Sequence, residues 1–512
     1  MPAMNRDKAK SAGSLLVVSV YAIIGIAIAA APIFLASIPP LADYPNHLAR
    51  VYILDNLGRV PELALYYRDV SAAQPNLTFD CIVSWLARIM SLEMAGKVFL
   101  ALTITAMVAG VVALHRALHA RTSLWPLLSL FFVYNRLFLW GFVGYLFALG
   151  IAIAAFAGWV ALHRRPVIRM VMATGLATLL YLGHLYAFGV YVLCIVGYEF
   201  TVLWDGRRPT VQAVFGAVAA TVQFVPALYL FLFVSPTSDA AGETHWGSLW
   251  RKLEAPANLL FNYHLAFDLA CLAILASVVL VGLVRRHLVV NRLMIGPLVL
   301  LFTAFVLMPD QFFSSYGADK RLPIAIALVA IAASEWRSWK WYRLIAVSLS
   351  AVFLLRMALI AAVWIEANAT YSDYMTAIER VPYGAKLMVI VAHPSQRSLP
   401  PIPVFEIANM AIIYRHAFVP SLFAFPRHAA QAVAFSPKMQ RLSEATPHHI
   451  FLPHILAGLN DPNHAQQAGP FREELLNQYD CLFIVNERDM PVPPPHGATL
   501  FEGRDVRLVN LH

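Results

Sequence analysis

The sequence predicts a polytopic α-helical membrane protein of about eleven transmembrane helices with a C-terminal extracytoplasmic α/β domain. Three observations predict this fold class. The chain of 512 residues is 60% hydrophobic and 13% charged, whereas soluble proteins are nearer half apolar and a quarter charged. Apolar runs near the length that crosses a bilayer follow one another from residue 14 to about 365. Beyond residue 366 the apolar runs shorten to strand length.

The first apolar run, 14–38, follows Arg6, Lys8 and Lys10. A signal peptide has the same order but a shorter apolar core, so we interpret this run as a retained first transmembrane helix. Pro39 and Pro40 end it, because proline lacks an N–H donor and its ring clashes with the preceding turn. A long loop, 39–95, follows, with amphipathic segments at about 44–57 and 78–91.

The later apolar runs predict the remaining helices, at about 96–114, 123–138, 141–162, 167–183, 185–204, 211–234, 264–284, 293–308, 321–334 and 343–365. Arg and Lys cluster in alternate loops, on the same side as the basic N-terminus. The positive-inside rule therefore predicts that these loops face the cytoplasm. The loops 39–95, 235–263 and 309–320, and the chain after about 366, are then outside. We interpret the membrane as a bacterial inner membrane.

The charge and cysteine patterns argue against a nucleic-acid-binding protein and against a cysteine-based metal site. The net charge of +9 comes from short basic clusters between apolar runs, so it indicates membrane orientation and no nucleic-acid partner. The four cysteines show neither a CxxC motif nor the spacing of metal ligands.

Residues 1–366 are interpreted as the transmembrane domain and residues 367–512 as a soluble α/β domain. Strands are predicted at 386–391 and 481–485, with helical pieces between them. Segments 498–501 and 506–509 flank Glu502-Gly503-Arg504-Asp505, a pattern typical of a hairpin. No GxGxxG, P-loop or GxSxG motif occurs in this domain.

The stretch Asp43-Tyr44-Pro45-Asn46-His47-Leu48-Ala49-Arg50 opens the first loop. Asp43 is predicted to begin a helix, since Asp is a preferred N-cap and Pro45 is tolerated in the first turn. Asp43, His47 and Arg50 then share one helix face at i, i+4 and i+7. A carboxylate, an imidazole and a guanidinium are thereby offered at the membrane edge. The alternative is that Asp43 only caps the helix.

A first helix leaving the cytoplasm, an acidic juxtamembrane helix, many further helices and a terminal outer domain form a specific arrangement. It resembles the GT-C superfamily of integral-membrane glycosyltransferases, which includes protein O-mannosyltransferases, aminoarabinose transferases and oligosaccharyltransferases. The resemblance covers the architecture of nearly the whole chain, and its sequence core is Asp43 to Arg50. It implies a polyprenyl-phosphate sugar donor and a first-loop carboxylate, here Asp43, that acts as base or metal ligand.

Many members of that superfamily carry a second acidic residue in the next outer loop. The corresponding turn here, Tyr134-Asn135-Arg136, has none. A divalent metal therefore stays possible but is not required, and the metal and cofactor remain unassigned.

Sugar transfer from a lipid phosphate needs a base for the acceptor hydroxyl and positive charge for the departing phosphate. Asp43 and His47 are the candidate catalytic residues. Lys320 and Arg321 interrupt the general lack of basic residues in the outer loops and precede an apolar helix, which suits phosphate binding; they are otherwise snorkelling anchors. Arg136 is a third candidate for the phosphate, with an ion pair or a cap as its alternative.

Other candidate site residues are Arg50, His184, Glu243 and His245. His184 is an ionisable residue in an apolar context, which indicates function unless it is a hydrogen-bonded core residue. Glu243 and His245, next to Trp246, suit contact with a sugar or a metal, or belong to a lid segment.

Together these features predict an inverting glycosyltransferase at the outer face of the inner membrane. Its donor would be a polyprenyl-phosphate sugar from the lipid bilayer, and its acceptor an envelope glycan, lipid or protein. A membrane transporter or lipid flippase, and a non-enzymatic membrane scaffold, are the alternatives.

Overall fold

The structure, a computed structural model, describes residues 2–71, 74–205, 211–235, 244–312, 315–337, 341–392, 403–424, 431–446, 450–451, 473–486 and 497–512. Its α-helices in chain order are α1 Pro2–Leu35, α2 Tyr44–Asn56, α3 Pro61–Tyr66, α4 Thr78–Leu86, α5 Leu92–His119, α6 Arg136–Trp140, α7 Val143–Ala161, α8 Pro166–Gly183, α9 Leu185–Asp205, α10 Val211–Ala219, α11 Val225–Tyr229, α12 Leu249–Glu254, α13 Leu265–Val284, α14 Ile295–Leu307, α15 Leu322–Ala333, α16 Tyr342–Glu379, α17 Met410–Arg415, α18 Pro437–Ala445 and α19 Glu473–Leu476.

Strands and tighter helical turns occupy shorter segments. The strands are β1 Tyr67–Asp69, β2 Leu288–Val290, β3 Gln311–Phe312, β4 Ser315–Tyr316, β5 Ser334–Trp336, β6 Leu387–Ala392, β7 Val433–Phe435, β8 Ile450–Phe451, β9 Cys481–Asn486, β10 Ala498–Glu502 and β11 Val506–Asn510. Turns of 3₁₀ helix lie at Trp125–Phe132, Val222–Phe224, Ala255–Leu259, Arg292–Met294, Asp319–Arg321 and Ile407–Asn409, and a π-helical turn at Leu230–Val234.

The predicted fold class is confirmed: apolar helices dominate and a sheet-containing region follows them. Within the described residues, eight helices are long and apolar enough to cross a membrane. They correspond to eight of the eleven predicted runs. Two of the remaining runs form the shorter helices α14, of 13 residues, and α15, of 12 residues.

The one predicted run that remains, 123–138, differs most from its prediction. It forms a 3₁₀ segment, Trp125–Phe132, and then the five-residue helix α6. Pro126 stands at the start of the 3₁₀ segment, and the Asn135 side chain accepts a hydrogen bond from the backbone N–H of Phe138. Gly141 ends α6 with φ at +96°. A proline, a side-chain N-cap and a left-handed C-cap divide an apolar run that would otherwise form one helix.

The predicted helix at 211–234 is one span made of several pieces. α10, a 3₁₀ turn, α11 and a π-helical turn follow one another in it. Pro226 lies at the start of α11. Buried Gln223 accepts a hydrogen bond from the Tyr191 hydroxyl at 2.8 Å, which satisfies a polar side chain among apolar helices.

The chain divides into two compact units, each formed from several stretches. The helical unit comprises Met1–Ile33, Ala73–Thr78 and Val98–Ala361. The mixed unit comprises Phe34–Ala72, Phe79–Lys97 and Ala362–His512. Two segments of the predicted first loop therefore belong to the same unit as the C-terminal region.

In the helical unit, helices α9 and α14 approach each other closely at two glycines. At Gly197 of α9, an added Cβ would lie 2.5 Å from the backbone nitrogen of Pro297 in α14. At Gly296 of α14, it would lie 2.1 Å from the Gly197 carbonyl oxygen. Glycine at both positions lets the two backbones meet, as small residues do in membrane helix pairs.

The mixed unit contains a sheet with the strand order β10-β11-β9-β6-β8 among its described residues. β10, β11 and β9 pair antiparallel, while β6 lies parallel to both β9 and β8. The predicted strands near 386–391 and 481–485 are confirmed as β6 and β9. The hairpin predicted around Glu502-Gly503-Arg504-Asp505 is confirmed as β10 and β11.

The first loop and the C-terminal region share further structure within the mixed unit. β1 pairs antiparallel with β7. Helix α2 is largely buried, and the Asn46 amide in it donates to the Glu406 carboxylate at 2.9 Å and to the Ser421 carbonyl at 3.2 Å. The backbone N–H of Phe423 donates to the same Asn46 side chain at 2.9 Å. The helix that follows Asp43 is therefore fixed by residues 360 to 377 positions further along the chain.

Candidate functional site

The helical unit encloses an apolar cavity of about 490 Å³. This volume falls in the range of roughly 300–1,000 Å³ that is typical of ligand pockets. Arg321 is the one charged residue among those that line it. The lining residues are Tyr145, Tyr181, Leu185, Tyr186, Phe188, Gly189, Val190, Val192, Leu193, Phe224, Leu228, Phe231, Ala304, Met308, Phe312, Arg321 and Leu322.

The Arg321 side chain is buried, with 6% of its surface exposed. Its guanidinium lies between two aromatic rings, 4.5 Å from the centroid of Phe142 and 4.4 Å from that of Tyr186. Nη1 donates to the Tyr316 carbonyl at 2.8 Å, and Nη2 donates to the Ser315 hydroxyl at 3.2 Å. Aromatic faces and hydrogen bonds stabilise the cation in an apolar environment, so a positive charge is held at the cavity wall.

Lys320 and Arg136 meet at one tryptophan. Lys320 Nζ lies 4.9 Å from the Trp140 ring centroid and 4.1 Å from that of Tyr316, and it donates to the Tyr316 hydroxyl at 2.5 Å. The Arg136 guanidinium lies 5.7 Å from the same Trp140 ring. Tyr316 links this pair to Arg321, whose Nη1 binds its carbonyl. The structure therefore brings together the three cations predicted to bind the donor phosphate.

Trp140 itself carries an unused donor. Its indole Nε1 is buried and has no hydrogen-bond acceptor among the described residues. Local sequence did not single out Trp140, because its proximity to Lys320 depends on how α6 and the 319–321 turn pack.

A carboxylate adjoins the cations on the side of α12. Asp319 is buried, and its carboxylate lies 3.7 Å from Lys252 Nζ. Burial raises the pKa of the Asp319 carboxyl, while the charges of Lys252 and Lys320 oppose that rise. Lys252 also donates to the carbonyls of Phe305 at 2.9 Å and Met308 at 2.6 Å, at the end of α14. These contacts fix the turn that bears Lys320 and Arg321.

His184 lies behind the cavity wall. It follows the last residue of α8, is buried, and packs 5.3 Å from the ring of Tyr145 and 6.0 Å from that of Tyr186. The Tyr145 hydroxyl donates to the Arg321 carbonyl at 2.6 Å. His184 thus belongs to the aromatic layer around Arg321.

His245 lies in the segment before α12, and Glu243 lies outside the described residues. The His245 ring is 70% exposed, and its Nδ1 lies 3.0 Å from the Asp310 carboxylate. The backbone of His245 forms a bridge with Gln311. These contacts connect the segment before α12 to Asp310 and to the start of β3, and they bring an imidazole and a buried carboxylate together.

Asp43 lies immediately before α2 in the mixed unit, as predicted. Its side chain makes no capping hydrogen bond to the helix, so the alternative in which Asp43 only caps α2 is not the observed geometry. The side chain is partly exposed, and the Asp43 carbonyl accepts from the His47 N–H at 3.0 Å. The His47 ring packs against Phe79, with ring centroids 5.1 Å apart and the ring planes tilted by 36°.

Arg50 forms an ion pair with Asp80, a partner that the local sequence did not indicate. Its Nε donates to both Asp80 oxygens, at 2.9 and 3.0 Å, and Nη2 lies 2.8 Å from Oδ1. Nη1 donates to the Gln431 amide oxygen at 2.6 Å. Both side chains of the ion pair are buried. Arg50 shares a helix with Asp43 and His47, but its guanidinium is bound within the mixed unit.

In the described part of the chain, no group of three or more His, Cys, Asp or Glu side chains is placed so that it could hold a metal ion. All four cysteines are free thiols. The sequence-based assignment leaves a divalent metal optional, and the described geometry offers no protein-only set of ligands for one.

A second ion pair was missed because both residues lie within apolar runs. Asp268 of α13 and Arg356 of α16 are each 1% exposed, and Nη1 of Arg356 lies 2.5 Å from Oδ1 of Asp268. Charged residues inside apolar helices are a signal that could have identified them, since they are costly there and usually paired.

Comparison with solved structures identifies a similar fold. The chain resembles ArnT from Cupriavidus metallidurans bound to undecaprenyl phosphate, over 98% of each chain, with a TM-score of 0.52 and 10% sequence identity. No protein-family model and no curated protein matches the sequence. The fold expected from the resemblance is confirmed. With eight apolar helices of sufficient length, this fold describes an integral membrane protein.

Proposed function

We propose that this protein is an inverting glycosyltransferase that moves a sugar from a polyprenyl-phosphate donor to an envelope acceptor at the outer face of the inner membrane. The observation that carries the proposal is Arg321, a buried guanidinium at the wall of an otherwise uncharged, apolar cavity. A long prenyl chain that ends in a phosphate has the same two chemical parts. The similar ArnT structure contains undecaprenyl phosphate, which supports a ligand of this class.

The three clustered cations suit the leaving group. When the bond between the sugar and the phosphate breaks, the phosphate gains negative charge, and fixed positive groups stabilise it. Arg321 can form charge-assisted hydrogen bonds to that phosphate, while Lys320 and Arg136 contribute further positive charge beside Trp140. Aromatic contacts hold these cations before the substrate binds, so little reorganisation is needed.

Asp43 is proposed as the general base. Its carboxylate would take the proton from the acceptor hydroxyl, whose oxygen attacks the anomeric carbon of the sugar as the bond to the phosphate breaks. Attack opposite to the leaving phosphate inverts that carbon and releases polyprenyl phosphate. His47, one turn further along α2, is proposed to orient Asp43 or the acceptor. The support is the place of Asp43 directly before α2, in the loop that the alternation of basic loops predicts to lie outside the membrane.

The acceptor is proposed to be an envelope glycan, lipid or protein. The outer location rests on the alternation of basic loops, which predicts that the first loop, the 309–320 loop and the C-terminal region face outward.

Lipid binding and sugar transfer test the proposal together. Native mass spectrometry of the detergent-purified protein would compare undecaprenyl phosphate with phosphatidylglycerol, for the wild type, Arg321→Ala, Arg321→Lys and the control Arg343→Ala. Arg343 is an exposed cation in the first turn of α16. We expect a preference for undecaprenyl phosphate that Arg321→Ala weakens at least tenfold, that Arg321→Lys retains in part, and that Arg343→Ala leaves unchanged.

Two outcomes would contradict the proposal. Equal binding of undecaprenyl phosphate and phosphatidylglycerol would exclude a dedicated donor site. Selective binding, with lipid moved across proteoliposome membranes but no sugar transfer from any polyprenyl-phosphate sugar, would favour the flippase alternative.

A further inference from the structure

The ion pair between Asp268 and Arg356 connects four parts of the helical unit. Besides its contact with Asp268, the Arg356 guanidinium donates through Nη2 to the Leu260 carbonyl at 2.6 Å and to the Tyr134 carbonyl at 3.3 Å. The second Asp268 oxygen accepts from the backbone N–H of Asn262 at 2.8 Å. Helices α13 and α16 are thus joined to the 260–262 segment and to the end of the 125–134 segment.

A buried ion pair joins helices at a high cost in desolvation free energy. Removing two charges from water costs several kcal/mol per ion, and well-packed apolar residues of similar size are often as stable. Nε of Arg356 is also buried without a hydrogen-bond partner among the described residues. Stability alone therefore gives a weak reason for the pair. Its backbone contacts give a stronger one, because they fix the positions of two particular carbonyl groups.

The Tyr134 carbonyl lies just before Arg136 in the chain, and Arg136 is one of the three cations proposed to bind the donor phosphate. Tyr134 directly precedes Asn135, the residue that caps α6, and α6 begins with Arg136 and ends with Trp140. The hydroxyl of Tyr134 donates to the Ala29 carbonyl at 2.8 Å, so this residue is held at both ends. Tyr263 is also close enough to Arg136 to interact electrostatically with its guanidinium. The segment that bears Tyr263 is held by the same ion pair.

We infer that Asp268 and Arg356 are positioning residues that set the location of Arg136 and Trp140 in the donor-phosphate site. This inference rests on the proposed function and deepens it. Arg356 acts on Arg136 through the Tyr134 carbonyl and the start of α6, while Asp268 binds the backbone of Asn262, the residue before Tyr263. Neither Asp268 nor Arg356 lines the cavity. The binding site for the phosphate therefore depends on a charge pair buried between α13 and α16.

The test replaces the pair by apolar residues of similar size, Asp268→Leu with Arg356→Met. Single replacements leave a buried charge without its partner and are expected to lower the melting temperature. The double variant is expected to regain thermal stability close to that of the wild type. If the pair positions Arg136, the double variant nevertheless binds undecaprenyl phosphate roughly tenfold more weakly, the loss expected for one displaced charge-assisted hydrogen bond.

A double-mutant cycle with Arg136→Ala separates positioning from general stability. We expect Arg136→Ala to weaken binding in the wild type but to cause little further loss in the double variant, because the two changes remove the same interaction. The control is the pair Arg169 and Glu199, which joins α8 and α9 at 2.6 Å and includes no residue that lines the cavity. Replacing it by Met and Leu is expected to leave lipid affinity unchanged.

The outcomes are distinct. Wild-type affinity in the stable double variant, additive losses in the cycle, or an equal loss in the Arg169 and Glu199 control would each overturn the positioning role. If the wild type itself shows no preference for undecaprenyl phosphate over phosphatidylglycerol, the proposed function fails, and the inference fails with it.

Discussion

Arg50 of α2 forms an ion pair with Asp80 of α4 through three contacts of 2.8 to 3.0 Å, and both side chains are buried. The sequence pattern predicts that Arg50 acts together with Asp43 and His47, since the three residues share a helix face. The structure instead uses Arg50 to join two segments of the first loop. A buried guanidinium with a carboxylate on one side and the Gln431 amide on the other is satisfied within the mixed unit.

Breaking this pair should destabilise the mixed unit. Arg50→Ala leaves the Asp80 carboxylate buried without its cation, which typically costs about 3–5 kcal/mol. Arg59→Ala, an exposed position just after the same helix, is the control. Thermal unfolding of the purified protein would measure the difference. Equal melting temperatures for the two variants would show that the Arg50 and Asp80 contacts contribute little.

Asp43→Asn should remove sugar transfer while the protein stays folded. The amide has nearly the same shape but cannot accept a proton at neutral pH, and general base catalysis is worth on the order of 10²–10⁴ in rate. The fold is expected to persist, because asparagine keeps nearly the size of aspartate and is also a preferred N-cap residue. The readout is the rate of transfer from a polyprenyl-phosphate sugar, with folding checked by thermal unfolding.

Asp55→Asn provides the matched control for that experiment. Asp55 lies on the same helix, is exposed, and accepts a hydrogen bond from the Ser84 hydroxyl. Its variant should transfer sugar at close to the wild-type rate. Full activity in Asp43→Asn would exclude Asp43 as the base.

Gly189→Leu should fill the cavity and exclude the prenyl chain. Gly189 lines the cavity on α9, and an added Cβ there meets no atom within 4 Å, so the backbone can accept a side chain. Gly175→Leu on α8 is the control, since its Cβ also meets open space and the residue is exposed. Titration with undecaprenyl phosphate should show at least a tenfold loss of affinity for Gly189→Leu alone. Unchanged affinity would mean that the lipid binds elsewhere.

His245→Ala should have little effect on folding. The ring is 70% exposed, so its contact with Asp310 is screened by solvent and contributes roughly 0.5 kcal/mol or less. The backbone bridge to Gln311 does not need the side chain. A large fall in transfer rate without a fall in melting temperature would therefore identify His245 as a residue that contacts the substrate. The two measurements on one purified variant distinguish these roles.

Local patterns predicted much of the secondary structure. Eight of the eleven apolar runs form helices of spanning length. The start of α2 after Asp43 and the hairpin around Glu502-Gly503-Arg504-Asp505 also follow from nearby residues. These features depend on hydropathy over one bilayer thickness, on proline geometry and on turn residues, which act within a few positions of the chain.

Three further features were settled by tertiary contacts. β1 pairs with β7, Arg50 binds Asp80, and Asp268 binds Arg356, and in each case the partners lie on different elements. A helical period states which residues share a face, but not which residue of another helix that face will meet. Each of these pairings could have been replaced by several others that fit the same hydropathy.

The sequence by itself determined that this protein is an apolar, many-helix chain with strands and helices near its C-terminus, and it identified Lys320, Arg321 and Arg136 as cations outside the main basic clusters. Only the tertiary structure decided that these cations meet around Trp140 and Tyr316, and that Arg321 lies at the wall of an apolar cavity. The physical reason is that a cavity is the space left between packed helices. Its walls come from α7, α8, α9, α11, α14, α15 and the 3₁₀ turns between them, and no single stretch of sequence encodes that space.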